Sequence, residues 1–110
     1  MSKEKGNQAE DKAVSFLEDR GFKVVQKNFY AKKLGEIDIV CKKDDIYHFC
    51  EVKSALAYEV AVNNLTFSKL SKIKRSVEYY LQKHKIAPAY CIDVIIVCED
   101  EIELLENVTV

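Results

Sequence analysis

Residues 35–54 carry the pattern of a β-hairpin, and that hairpin constrains the fold more than any other segment. Ile37-Asp38-Ile39-Val40-Cys41 is rich in β-branched residues. Ile46-Tyr47-His48-Phe49-Cys50-Glu51-Val52 adds aromatics, and both runs read as strands. The polar stretch Lys42-Lys43-Asp44-Asp45 separates them. With Asp44-Asp45 as a two-residue loop, Lys43 faces Ile46, Val40 faces Phe49, Asp38 faces Glu51 and Glu36 faces Lys53. Opposed residues share a face, and so do residues two apart. Glu36, Asp38, Glu51 and Lys53 then gather on one face beside Val40 and Phe49, with His48 on the other. Asp-Asp is not the favoured Asn-Gly turn. A slip of one residue reverses every face.

Opposed carboxylates destabilise a sheet. A divalent cation between Asp38 and Glu51 removes that penalty, and Mg²⁺ typically takes one or two carboxylates together with water and phosphate oxygens. Lys53 adds a positive charge that an attacking water or a developing phosphate charge can use. The competing reading is a solvated strand face with a Glu36–Lys53 ion pair. It accounts for those two residues and leaves Asp38 against Glu51 unexplained.

An Asp on one strand followed by Glu-x-Lys on the next resembles the PD-(D/E)xK nuclease signature, which is short. A narrower resemblance covers nearly the whole chain. Gly6-Asn7-Gln8-Ala9-Glu10-Asp11-Lys12-Ala13, Gly21, Asn28, Gly35-Glu36-Ile37-Asp38 and Phe49-Cys50-Glu51-Val52-Lys53 follow in order. Lys69, Tyr80-Leu81 and Ile92-Asp93-Val94 complete the series. This pattern is similar to that of the YraN-like family of small bacterial proteins.

The resemblance implies a restriction-endonuclease-like fold, close to that of Holliday junction resolvases. It implies Asp38 and Glu51 as ligands of Mg²⁺ (or Mn²⁺), with the Val52 carbonyl as a further ligand. Lys53 positions or activates water, and Glu10 is the outer acid. Lys69, Lys72 and Glu36 are the expected substrate contacts, and DNA is the expected partner. Family members often carry Arg where this chain has Tyr30, Ala55 and Cys91. Each missing Arg is a lost phosphate contact, so a thinned basic rim is expected.

A chain of 110 residues is expected to form one domain over 1–110 with a modest core. No apolar run approaches a membrane span, and Met-Ser-Lys-Glu-Lys-Gly lacks a signal peptide's apolar stretch. A cytoplasmic location and no membrane partner are the expectations. Cys41, Cys50, Cys91 and Cys98 form no Cys-x-x-Cys pair and read as reduced core residues. His48 and His84 have no partner nearby in sequence and read as structural or exposed. The net charge of −1 does not announce a nucleic-acid binder. Lys69, Lys72, Lys74 and Arg75 are nevertheless clustered, against the acids Glu99, Asp100, Glu101, Glu103 and Glu106.

Along the chain, Ala9, Ala13, Phe16 and Leu17 predict a first helix over about 7–19. Asn7 is its expected N-cap. Glu10, three residues on, is either the partner in a capping box or the outer acid of the site. Gly21 is expected to end the helix. A strand follows over 22–30, then the hairpin, then a loop over 55–66 without a period. Thr66 or Ser68 caps a second helix running to about Lys83, with Leu70, Ile73, Val77, Tyr80 and Leu81 as its stripe. Tyr90 to Cys98 is an internal strand, interrupted by Asp93, which needs a partner if buried. Ile102 to Leu105 is the last strand. The order α-β-β-β-α-β-β predicts an α/β sandwich, a mixed sheet of about five strands flanked by helices.

The expected function is metal-dependent hydrolysis of DNA phosphodiester bonds, perhaps in branched or single-stranded DNA. The alternative is a non-catalytic DNA- or protein-binding adaptor on the same scaffold. A homodimer and a separate protein partner are further expectations.

Overall fold

A computed structural model describes residues 3–108, with side chains from residue 8 onward. Helix α1 spans Lys3–Asp19, followed by β1 (Lys23–Tyr30) and a 3-10 turn at Lys32–Leu34. Strands β2 (Glu36–Lys43) and β3 (Ile46–Ser54) form the hairpin. Helices α2 (Tyr58–Asn63) and α3 (Phe67–His84) come next, then β4 (Tyr90–Val97) and β5 (Ile102–Leu105). The five strands form one mixed sheet in the order β1-β2-β3-β4-β5, and only the β3–β4 pairing is parallel.

The hairpin register is the expected one. Lys43 pairs with Ile46, Val40 with Phe49 and Ile39 with Cys50. Asp44 and Asp45 adopt φ of 53° and 64°. Positive φ at both loop positions matches the right-handed twist of the flanking strands, and Asp tolerates that conformation better than most residues.

Helix α1 covers one face of the sheet. Ala9, Ala13 and Leu17 pack there with Ile39, Cys41, Cys50, Ile95 and Val97. Helix α3 covers the other face, where Ile73, Val77 and Tyr80 meet Val40, Phe49 and Ile92. Alternation along each strand explains the division, since Val40 and Cys41 must point to opposite faces. Phe49 and Leu17 are fully buried, each worth about 1.5–3 kcal/mol relative to exposure.

The helix ends follow local chemistry. Gly21, at φ 89°, ends α1, and the Phe22 amide reaches back to the Leu17 carbonyl at 3.0 Å. Thr66 caps α3 by accepting from the Lys69 amide at 3.2 Å. Gly35, at φ 138°, sits against α3, where a Cβ would lie 3.1 Å from Ser76 Oγ and 3.3 Å from Lys72 Cε. Only glycine lets the chain turn into β2 so close to that helix.

Three expectations need correction. Helix α1 begins at Lys3, so Asn7 lies inside it and is not an N-cap. The expected structureless loop contains α2, whose Ala61 packs on Val94 and Ile96. Its six residues are too few to show a helical period, and Val60 and Val62 are β-branched. The paired register of the hairpin also ends before the acidic residues: Ile39 and Cys50 are the last partners of β2 and β3.

Asp93 is fully buried and does have a partner. Its carboxylate meets His48 Nδ1 at 2.5 Å and accepts from the Asn107 amide at 2.9 Å. His48 therefore has a buried partner 45 residues away, with Phe22 edge-on to its ring at 4.9 Å. His84 Nδ1 donates to the Tyr80 carbonyl at 2.9 Å, and its ring stacks on the Tyr80 ring. The four cysteines are free, and Cys41, Cys50 and Cys98 are buried, as core packing predicts.

Candidate metal centre

The site forms where β2 leaves β3. Beyond Ile39, β2 stays paired with β1, through Phe29–Ile37 and Tyr30–Glu36. Strand β3 stays paired with β4 as far as Ser54–Val97. The two middle strands therefore part, and a wedge opens between Asp38 and Val52. The Val52 amide, left without a ladder partner on β2, donates to Asp38 Oδ2 at 2.8 Å. The amide and carbonyl of one strand residue point to the same edge, so the Val52 carbonyl faces the wedge as well.

Four acids converge there. Carboxylate oxygens of Glu10, Glu36 and Asp38 lie within 4.8 Å of one another. Glu51 lies beside Asp38, and its Oε1 lies 3.9 Å from Lys53 Nζ. Burial pushes the Glu51 carboxyl up to about 8, with the Asp38 charge adding to it and Lys53 opposing. Glu10 is raised by burial and then by Asp38, while Asn28 opposes the shift. Glu36 is raised by burial, then by Asp38 and Glu10. Negative charge is thus concentrated in a half-buried place that ordinary packing would leave apolar.

The Glu36–Lys53 ion pair expected of a plain strand face is not formed among the described residues. Lys53 lies near Glu51, and Glu36 turns toward Asp38 and Glu10. Helix α1 starts a full turn earlier than its sequence suggests, which frees Glu10 from any capping role, and its carboxylate joins the cluster. Asn28, at φ 54°, stands beside Glu10 near the end of β1 and opposes the rise of its pKa. Sequence reasoning gave Asn28 no role in the site. Its place in the YraN-like pattern and the tolerance of an asparagine for positive φ near a strand end are the signals it offered.

A cleft of about 270 Å³ opens over these groups, lined by Glu36, Asp38, Glu51, Lys53, Lys69 and Lys72 along with the apolar Leu65 and Ile73. The candidate contacts named from sequence, Lys69 and Lys72, thus border the same space as the acids. A larger cleft lies beyond the C-terminal end of β4, lined by Glu59, Glu99, Asp100, Glu101 and Glu103 with no lysine. Its charge repels phosphate, so size is a poor guide to function here.

The donor set is made entirely of oxygen: four carboxylates and one backbone carbonyl. Such a set suits a hard cation of the Mg²⁺ or Mn²⁺ class, and a cation would relieve the crowding that raises Glu51, Glu36 and Glu10. The residues present fit the ion.

The chain is 65% identical to a UPF0102 protein of Aliarcobacter butzleri over 109 residues, 99% of each chain. It is 50% identical to a UPF0102 protein of Sulfurimonas denitrificans over 99% of each chain. A UPF0102 protein of Helicobacter hepaticus is 46% identical over 98% of this chain and 96% of its own. The model of that family matches residues 9–97, a span that includes Glu10, the wedge and α3. The chain therefore belongs to the uncharacterised protein family UPF0102, the YraN-like family that its Gly-Glu-Ile-Asp and Glu-Val-Lys segments resemble.

Proposed function

We propose that the protein is a metal-dependent endonuclease that hydrolyses DNA phosphodiester bonds. The observation that carries this reading is the convergence of Glu10, Glu36, Asp38, Glu51 and Lys53 in one wedge, beneath a cleft bordered by Lys69 and Lys72. Asp38, Glu51 and the Val52 carbonyl would hold Mg²⁺ or Mn²⁺, with Glu10 and Glu36 completing its surroundings. When bound, the ion supplies polarisation of the phosphate and a lower pKa for water. Lys53 orients the attacking water and stabilises charge that develops on the phosphate. Lys69 and Lys72 neutralise the backbone on either side of the bond.

The test is cleavage of labelled duplex, single-stranded, flap and four-way DNA in Mg²⁺ or Mn²⁺. Cutting of one form that is lost in Asp38→Ala and in Lys53→Ala supports the reading. Cutting that survives both changes, or no cutting of any form, removes it.

One observation favours a second reading. Burial, with the Asp38 charge beside it, pushes the Glu51 carboxyl up to about 8 and favours its protonated form. A proton on Glu51 removes part of the cluster's charge without a cation, as a non-catalytic DNA- or protein-binding adaptor requires. Calorimetric titration separates the two: an adaptor takes up no Mg²⁺ at millimolar concentration.

A further inference from the structure

The acid cluster is bordered by exposed aromatic residues as well as lysines. Tyr30 ends β1, directly opposite Glu36 and two residues from Asn28. Its side chain is 69% exposed. Phe67 opens α3 between Leu65 and Lys69, both of which line the cleft, and is 87% exposed. An aromatic side chain left in water at such a level gains nothing for the fold. Each is followed closely by exposed lysines: Lys32 and Lys33 after Tyr30, Lys69 and Lys72 after Phe67. The close approach of Gly35 to Lys72 and Ser76 holds the two segments against the same cleft.

We propose that this rim binds unpaired nucleotides, with Tyr30 and Phe67 stacking on bases at the two sides of the cleft while the four lysines follow the backbone. Alternating cations and aromatic faces suit single strands, whose bases are free to stack, and do not suit a closed duplex. Lysines of the 3-10 turn and α3 thus provide the basic border that the absent arginines would have supplied. The inference rests on the reading of the cleft as a DNA site and narrows its substrate to single-stranded or unpaired regions.

Fluorescence anisotropy tests it, using fluorescein-labelled oligothymidine and a duplex of equal length, with Ca²⁺ in place of Mg²⁺. The single strand is expected to bind more tightly than the duplex. Tyr30→Ala and Phe67→Ala should each weaken single-strand binding about tenfold, while Tyr30→Phe and Phe67→Tyr keep it. Both positions are exposed, so circular dichroism should show the alanine variants folded. Equal affinity for the two DNA forms, or unchanged affinity in the alanine variants, overturns the inference. So does a Phe67→Ala variant that loses only self-association by light scattering, since the patch would then belong to a second copy of the chain. The nuclease reading fails separately: stacking-dependent binding without cleavage in Mg²⁺ ends that reading and leaves this one standing.

Discussion

The Val52 amide donates to Asp38 Oδ2 at 2.8 Å across the gap where β2 leaves β3. One carboxylate oxygen thereby takes the place of a ladder partner, and the wedge is held open with its backbone satisfied. Asp38→Asn keeps an oxygen for that bond and removes the charge. It should fold with a Tm near that of the parent chain, yet lose at least a hundredfold in metal-dependent cleavage. Asp38→Ala leaves the Val52 amide unpaired and should cost a further 1–3 kcal/mol, roughly, of stability. Thermal melts and cleavage assays on the two variants check this difference.

The acid cluster makes stability depend on pH in a defined direction. A carboxyl whose folded pKa is raised binds its proton more tightly in the folded state. Its contribution is complete below the ordinary value of 4.5 and is lost as pH rises toward about 8, the value for Glu51. Metal-free protein should therefore melt at falling temperature from about pH 5 to pH 8. Millimolar Mg²⁺ or Mn²⁺ should flatten that decline. Glu51→Gln should raise the metal-free Tm at pH 8 by about 5 °C, since one pKa unit of relief is worth about 1.4 kcal/mol. A flat Tm profile in EDTA would contradict this account.

Lys53 lies 3.9 Å from Glu51 and lowers its pKa. Lys53→Met should push the Glu51 titration still higher and reduce cleavage about a hundredfold or more. Metal affinity should change far less, because lysine donates no oxygen to the ion. Isothermal titration with Mn²⁺ alongside cleavage rates separates the two effects. Equal losses of binding and rate would place Lys53 in structure alone.

The buried Asp93 holds both His48 and the Asn107 amide. Asp93→Ala leaves buried His48 without its partner and releases the more exposed Asn107 amide, and should cost about 1–3 kcal/mol, as stranding a buried polar group does. Chemical denaturation measures that loss. Cleavage per folded molecule should hardly change, since neither His48 nor Asp93 lines the cleft over the acid cluster.

The hairpin register was readable because strand alternation and a two-residue turn leave little freedom. Counting from Asp44-Asp45 predicts Val40 opposite Phe49, and the two are paired. The same count fails to predict that pairing stops at Ile39 and Cys50, because nothing local signals where β2 follows β1 away from β3. Asn7 has the chemistry of a cap and lies inside α1, so the helix start was misplaced and Glu10 was assigned two roles. Helix α2 was hidden for a different reason: its stability comes from Ala61 packing on β4, a contact remote in sequence.

By itself, then, the sequence determined the strands, the two long helices, the hairpin register and the residue types of the site, since each rests on period, turn chemistry or charge within a few residues. The tertiary structure alone decided that Glu10 and Asn28 join Asp38, that Lys53 faces Glu51 and not Glu36, and that Asp93 is held by His48. Those relationships depend on how α1 and α3 dock against a sheet whose central strands diverge. Docking of this kind is set by the summed burial of side chains far apart along the chain, which no local pattern records.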